Sequence, residues 1–188
     1  MIKRCKWVNP QNELYVKYHD TEWGVPVHED KRLFEMLILE GAQAGLSWET
    51  VLKKRVNYRK AYKYFDPRKV AKYDEHDIER LMRDEGIIRN RLKIKSSIKN
   101  AQVFLEIQME FGSFDNFIWK YVGYTPMNKK YKRIEEIPAK NEVSDKISLD
   151  LKKRGMSFAG STIIFAFMQA IGMENSHTTD CFRYKEIA

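Results

Sequence analysis

The chain has 188 residues, of which 43% are hydrophobic, 13% aromatic and 32% charged; this balance excludes a disordered or low-complexity chain and fits one globular unit over residues 1–188. Lys and Arg outnumber Asp and Glu by 34 to 26, a formal charge of +8, which suits a polyanionic partner and equally a solvated basic surface. No apolar run approaches the ~20 residues of a membrane span, MIKRCKW lacks the apolar stretch of a secretion signal, and the only cysteines, Cys5 and Cys181, sit at opposite ends. The sequence therefore predicts a cytoplasmic protein, with no membrane contact and no structural disulfide.

Helical periodicity dominates, and no alternating strand pattern or hairpin signal competes with it, so the fold class is all-α. Asp30 is placed to cap a helix running to about Ala44, and Ser47 the next, before Asp66-Pro67 breaks the pattern. Asp74 starts a short helix through Ile78, Leu81 and Met82, which Gly86 is expected to end in a left-handed conformation. A long helix follows from about Asn90, with Ile94, Ile98, Ala101 and Leu105 on one stripe and Gly112 as its stop. Phe114 to Val122 gives one more short helix. Residues 123–141, with Pro126 and Pro138 among many lysines, read as an exposed irregular loop. Val143, Ile147 and Leu151 form a stripe closed by Gly155, and the run Thr162–Ile171, apolar all round, predicts a buried central helix.

Cys5 and His19 lie near one end, His177 and Cys181 near the other. The H-x3-C spacing sets two ligands one helical turn apart, and two Cys with two His would fill a tetrahedral zinc shell with no vacancy for water. Spacing alone equally fits two buried thiols and two ordinary histidines. His28 and His76 read as surface or capping residues.

A second oddity lies on the helix after Asp30. At about 100° per residue, Leu37 falls about 40° to one side of Leu33 and Glu40 about 20° to the other, which sets a carboxylate inside the apolar stripe. Such a group must be hydrogen-bonded, neutralised or turned to a cavity. For an isolated Glu the internal ion pair is the stronger reading, yet Gly41-Ala42-Gln43-Ala44-Gly45-Leu46-Ser47-Trp48 follows directly, where small residues leave room beside a large aromatic. Trp7, Tyr15, Tyr18 and Trp23 crowd into the first 23 residues and serve either as base-stacking faces or as an aromatic mini-core.

Gly86 leads into a helix N-terminus followed by Arg89, Arg91 and Lys93, an arrangement that offers free N–H groups and positive charge to a phosphate, or is an ordinary helix connection. Lys-Lys-Arg at 53–55 and again at 152–154 would widen such a basic surface.

Taken together, these residues resemble the 3-methyladenine DNA glycosylase I family, within the helix-hairpin-helix glycosylases. The resemblance is carried by Arg4-Cys5-Lys6-Trp7, by Tyr18-His19-Asp20-Thr21-Glu22-Trp23-Gly24-Val25-Pro26, and by the block from Leu39-Glu40-Gly41 through Trp48 to Val51-Leu52-Lys53-Lys54-Arg55. Asn57-Tyr58-Arg59, Phe65-Asp66-Pro67, Gly86-Ile87-Ile88-Arg89, Lys152-Lys153-Arg154-Gly155 and His177-x3-Cys181 extend it over nearly the whole chain. It implies two helical lobes with a base pocket between them and a structural zinc clip of Cys5, His19, His177 and Cys181 joining the termini. It also implies a pocket of Glu40, Tyr18 and Trp48 ringed by Tyr15, Trp7 and Trp23, with Glu40 the catalytic residue, and a DNA-binding hairpin at about 81–95 using Gly86, Arg89, Arg91 and Lys93. The implied activity is monofunctional hydrolysis of 3-methyladenine from double-stranded DNA by base flipping, with free 3-methyladenine as product and a monomeric enzyme in the bacterial cytoplasm. N3 methylation makes the adenine cationic, so it leaves as a neutral base, and recognition is the main task. The chain departs from the wider superfamily in having no assigned aspartate after the hairpin, and in carrying Ile88 and Leu92 where a turn glycine is usual. The rival reading is a non-catalytic, zinc-containing helical binder of damaged DNA.

Overall fold

The computed structural model describes residues 2–187. In chain order its elements are α1 (Glu13–Thr21), α2 (Asp30–Gln43), α3 (Trp48–Ala61), α4 (Pro67–Val70), α5 (Glu75–Arg83), α6 (Arg91–Phe111), α7 (Phe114–Trp119), β1 (Met127–Asn128), α8 (Glu142–Lys153), α9 (Ser161–Ala170), β2 (Glu174–Asn175) and α10 (Phe182–Glu186). Side-chain caps start most of the helices: Ser47 accepts from the Thr50 N–H and Asp74 from Asp77, both as predicted, and Asn90, where the long helix is expected to begin, accepts from Lys93. Gly112 ends α6 and Gly155 follows α8, both at positive φ. The periodicity predicts no helix at α1, where aromatic and polar residues alternate without a clean stripe; Asn12 caps it nonetheless.

The architectural centre is α2, in which every residue from Leu33 to Ala42 is buried. It packs against α3, α6 and α7 in one lobe and against α9, which pairs with α8, in the other. The predicted central role of α9 is thus only half right. Ile164, Phe165, Phe167 and Met168 are buried, whereas Ile163, Ala166 and Gln169 lie on a partly open face. On α6, Phe104 takes the core place expected of Leu105, which is half-buried.

Three further expectations are corrected. Asp30 does not cap α2; it is the first residue of that helix, and its carboxylate accepts the N–H groups of Phe114 and Asp115, both at 2.8 Å, at the start of α7. A third bond, from the Gln108 amide at 2.6 Å, makes this one carboxylate the junction of α2, α6 and α7. Gly86 does not end a helix in the left-handed region: α5 stops at Arg83, and Gly86 has no positive φ. A side chain is excluded there by space, because a Cβ would lie 2.8 Å from that of Asn57 on α3. Finally, the 123–141 loop is not wholly irregular. β1 pairs in parallel with β2, Met127 opposite Glu174 and Asn128 opposite Asn175, a pairing of two residues per strand that is too short to leave a period-two signature.

Asp30→Ala is expected to lose about 1–2 kcal/mol of stability, as loss of a helix-capping carboxylate does. Glu29→Ala, which removes no capping bond, is expected to stay within about 0.5 kcal/mol. Urea unfolding of both variants checks the contrast.

Candidate active site and metal centre

A cavity of about 300 Å³ opens between the lobes. The N-terminal segment contributes Trp7, α1 contributes Tyr15 and Tyr18, and Trp23 follows just beyond α1. From α2 come Glu40 and Gln43, one turn apart, and from the first position of α3 comes Trp48. All six residues expected at a base pocket therefore meet in one place. Sequence reasoning missed Gln43, and also Ala166 and Gln169 on the open face of α9. Gln169 was findable, as the one polar side chain in an otherwise apolar run from Ile163 to Ala170. Ile134 and Ile137, from the long loop, carry no such signal.

Glu40 is only 4% exposed. Among the described residues no side chain forms a hydrogen bond or salt bridge with its carboxylate. Burial lifts its pKa to about 8, against a weaker downward pull from the Arg55 charge. The internal ion pair considered for Glu40 belongs instead to Glu35 on the same helix. Arg55 Nε and Arg59 Nε each donate to Glu35 Oε1 at 2.8 Å, and Arg32 Nη1 to Oε2 at 2.6 Å. Burial would raise Glu35 too, but Arg59, Arg55 and Arg32 overcome it and hold the group at about 2. Tyr18, wholly buried and near Glu40, is kept a neutral phenol, because burial and then the Glu40 charge raise its pKa well above the usual value. Its ring tilts against Trp48 at 5.3 Å, and among the described residues the Trp48 indole N–H has no acceptor. The cavity thus offers aromatic faces and one buried acid without a counter-ion, a set suited to a flat cationic ring.

Behind the aromatic wall lies the predicted ligand set. Cys5, His19, His177 and Cys181 are all buried, with their donor atoms within 4.8 Å of one another. Cys5 Sγ is 3.4 Å from His177 Nδ1, and Cys181 Sγ is 3.5 Å from both His177 Nδ1 and His19 Nε2. A tetrahedral ion at about 2.3 Å from sulfur and about 2.0–2.1 Å from nitrogen holds S and N about 3.5 Å apart, so the four residues are positioned to bind a metal ion. The second ring nitrogens are committed as metal-ligating histidines require. His19 Nδ1 meets Asp20 at 2.7 Å, Asp20 is gripped by Arg4, and His177 Nε2 donates to the Trp23 carbonyl at 3.2 Å. Trp23 also stands edge-on to His177, 4.5 Å between centroids, and to Trp7 at 5.0 Å. The cluster therefore buttresses one wall of the cavity as well as joining the termini. His28 is a surface residue bonded to Asp115, and His76 is exposed.

The basic residues expected at the hairpin are largely engaged within the protein. Arg91 pairs with Glu75 at 2.6 Å and with Glu79, tying α6 to α5. Lys93 Nζ donates to the carbonyls of Ala42 and Ala44, at 2.8 and 2.6 Å, and so caps the end of α2. Gly86 N–H donates to Asp84, and Arg89 is half exposed and, among the described residues, pairs only with Glu85, at 3.5 Å. Of the two Lys-Lys-Arg runs, Arg55 is buried in the Glu35 network and Arg154 pairs with Glu110 and Asp150.

The methyladenine glycosylase family model matches residues 7–184. The chain belongs to this family. It is 49% identical over 183 residues to DNA-3-methyladenine glycosylase 1 of Escherichia coli (strain K12), covering 97% of each chain. Its fold is similar to a crystal structure of a 3-methyladenine DNA glycosylase I, with a TM-score of 0.93, 48% identity, and 96% and 98% of the two chains covered. It is also similar to the 3-methyladenine DNA glycosylase I of Staphylococcus aureus in a structure concerned with recognition of 3-methyladenine, with a TM-score of 0.92, 36% identity and 95% of each chain covered. For a member of the methyladenine glycosylase family, the unpaired Glu40 is the group whose protonation is most exposed to experiment.

The folded protein keeps the Glu40 proton up to about pH 8, whereas an unfolded chain releases it near 4.5. Across that window the folded state binds more protons, so this group's contribution to stability is fully present below pH 4.5 and is lost as pH rises through 8. Glu40→Gln is accordingly expected to be more stable than the parent at pH 8, on the order of a few kcal/mol, with the advantage shrinking toward pH 5. Thermal melts across that range check both sign and trend.

Proposed function

We propose that this protein is a DNA repair enzyme that hydrolyses the N-glycosidic bond of 3-methyladenine in alkylated DNA. The observation that carries the reading is Glu40, a carboxylate buried without a partner among the described residues, at the edge of a cavity walled by Tyr18, Trp48, Trp7 and Trp23. A neutral base would leave that carboxyl protonated. A cationic one repays its ionisation, so the site selects for the charge that N3 methylation confers on adenine.

The damaged nucleotide flips out of the duplex, its ring stacks on the aromatic faces, and Glu40 bonds to it and balances its charge. The ring then departs with the electron pair of the glycosidic bond as neutral 3-methyladenine, while water adds to the sugar carbon and gives up a proton to solvent, leaving a sugar hydroxyl. The protein supplies binding, orientation and exclusion of bulk water; N3 methylation has already weakened the bond. The names of the relatives as glycosylases support hydrolysis over a non-catalytic binder of damaged DNA.

The duplex is gripped by the α5–α6 hairpin. Arg91 and Leu92 open α6 with amides that have no intrahelical acceptor, and with the exposed Arg89 they face a backbone phosphate. Arg91 and Lys93 act here as braces that fix the hairpin relative to the α2 end bearing Glu40 and Gln43. The substrate sets the enzyme in the bacterial cytoplasm, working as a monomer on double-stranded DNA. The metal is zinc, the ion suited to two thiolates and two imidazoles, and its filled shell gives it a structural role.

Chromatography of bases released from methylated DNA is expected to yield 3-methyladenine, and Glu40→Gln to slow its release by about 100-fold or more, the usual scale for losing one electrostatic partner of the reacting group. Release of no free base by the parent protein would end the reading. Metal analysis is expected to give about one zinc per chain, and Cys181→Ser to lose the metal together with several kcal/mol of stability.

A further inference from the structure

The loop from Lys129 to Lys140 is mostly exposed, yet every third residue, Tyr131, Ile134 and Ile137, turns inward. Ile134 and Ile137 line the same cavity as Glu40 and the aromatic rings. With the small Ala166 they are the aliphatic part of a wall otherwise made of aromatic and polar groups, and the proposed mechanism gives them no task.

Both ends of this loop hang from one buried carboxylate. Tyr131 donates its hydroxyl to Glu174 Oε1 at 3.2 Å, and Asn141 donates its amide to Oε2 at 2.9 Å. Ser176 adds a third donor at 2.9 Å, and Glu174 is fully buried. The backbone repeats the tie: Met127 N–H donates to the Met173 carbonyl and Thr179 N–H to the Tyr131 carbonyl, both at 2.8 Å. Between the anchors Glu136 closes the loop on itself, accepting from the Lys132 N–H at 2.8 Å and from Arg133 at 3.1 Å. A carboxylate buried this deeply is costly to strip of its donors, so the loop is held in place.

We infer that Ile134 and Ile137 are specificity-determining residues, an aliphatic wall held by Glu174 that limits the size of the alkylated base the cavity accepts. This rests on the reading of the cavity as a base site. A hydrophobic pocket discriminates a single methylene by roughly 10–200-fold, provided its wall cannot retreat. Glu174 is the positioning residue that keeps it from retreating.

The test is binding of free 3-methyladenine and free 3-ethyladenine, followed by quenching of tryptophan fluorescence, a readout independent of catalysis. The parent protein is expected to prefer 3-methyladenine by about tenfold or more, and Ile134→Ala and Ile137→Ala each to cut that ratio by at least about threefold. Glu174→Gln is expected to lower the ratio with bound metal unchanged, and Tyr131→Phe, which removes one hydroxyl, serves if the first variant fails to fold. A parent protein that binds neither base overturns the cavity reading and the wall with it. A parent that binds 3-methyladenine but shows no preference, or one whose preference survives both isoleucine variants, overturns the wall alone. Isoleucine variants that respond while Glu174→Gln and Tyr131→Phe do not overturn the anchoring role of Glu174.

Discussion

Desolvation of two carboxylates on one helix organises this molecule. Both Glu35 and Glu40 lie on α2, whose central ten residues are all buried, and neither can remain a solvated anion there. Glu35 is answered by three arginines, drawn from its own helix and from α3, and its charge becomes part of the packing between those helices. Glu40 receives no such answer, so its burial raises its pKa instead of recruiting a counter-ion. The energy withheld there is available to a cationic ligand, and the cavity beside it is the space we propose for one.

Keeping that space open requires walls that do not collapse. One wall consists of Trp7 and Trp23, propped from behind by the Cys5, His19, His177 and Cys181 cluster. Because two members of that cluster come from each end of the chain, the joint that closes the fold and the joint that braces the pocket are the same. A second wall is the partly open face of α9, and a third is the loop suspended from Glu174. In the proposed function the aromatic rings supply affinity for a flat cation, while the elements behind them supply rigidity. Arg91 and Lys93 extend this logic to the hairpin: their internal bonds help hold α5, α6 and the end of α2 in register.

By itself the sequence determined what is local and chemical. Caps such as Ser47, Asp74 and Asn90 depend on a residue and the next turn of its own helix, and the misplaced Glu40 is visible from 3.6-residue periodicity alone. The four metal-ligand candidates were legible as residue types at the two ends, and the aromatic cluster as a local density. Whether Glu40 or Glu35 carries the ion pair was not legible, since two of the three arginines, Arg55 and Arg59, lie 20 and 24 residues away on another helix. Only the tertiary structure decided that Asp30 caps α7 and not its own helix, that Gly86 answers crowding by Asn57, that Lys93 caps α2, and that Ile134 and Ile137 reach the cavity. In each case the partner is remote in sequence, and hydrogen bonding or exclusion across such a distance leaves no periodicity to read. Local propensity therefore wrote the helices and the site chemistry, while long-range packing decided which side of each residue that chemistry faces.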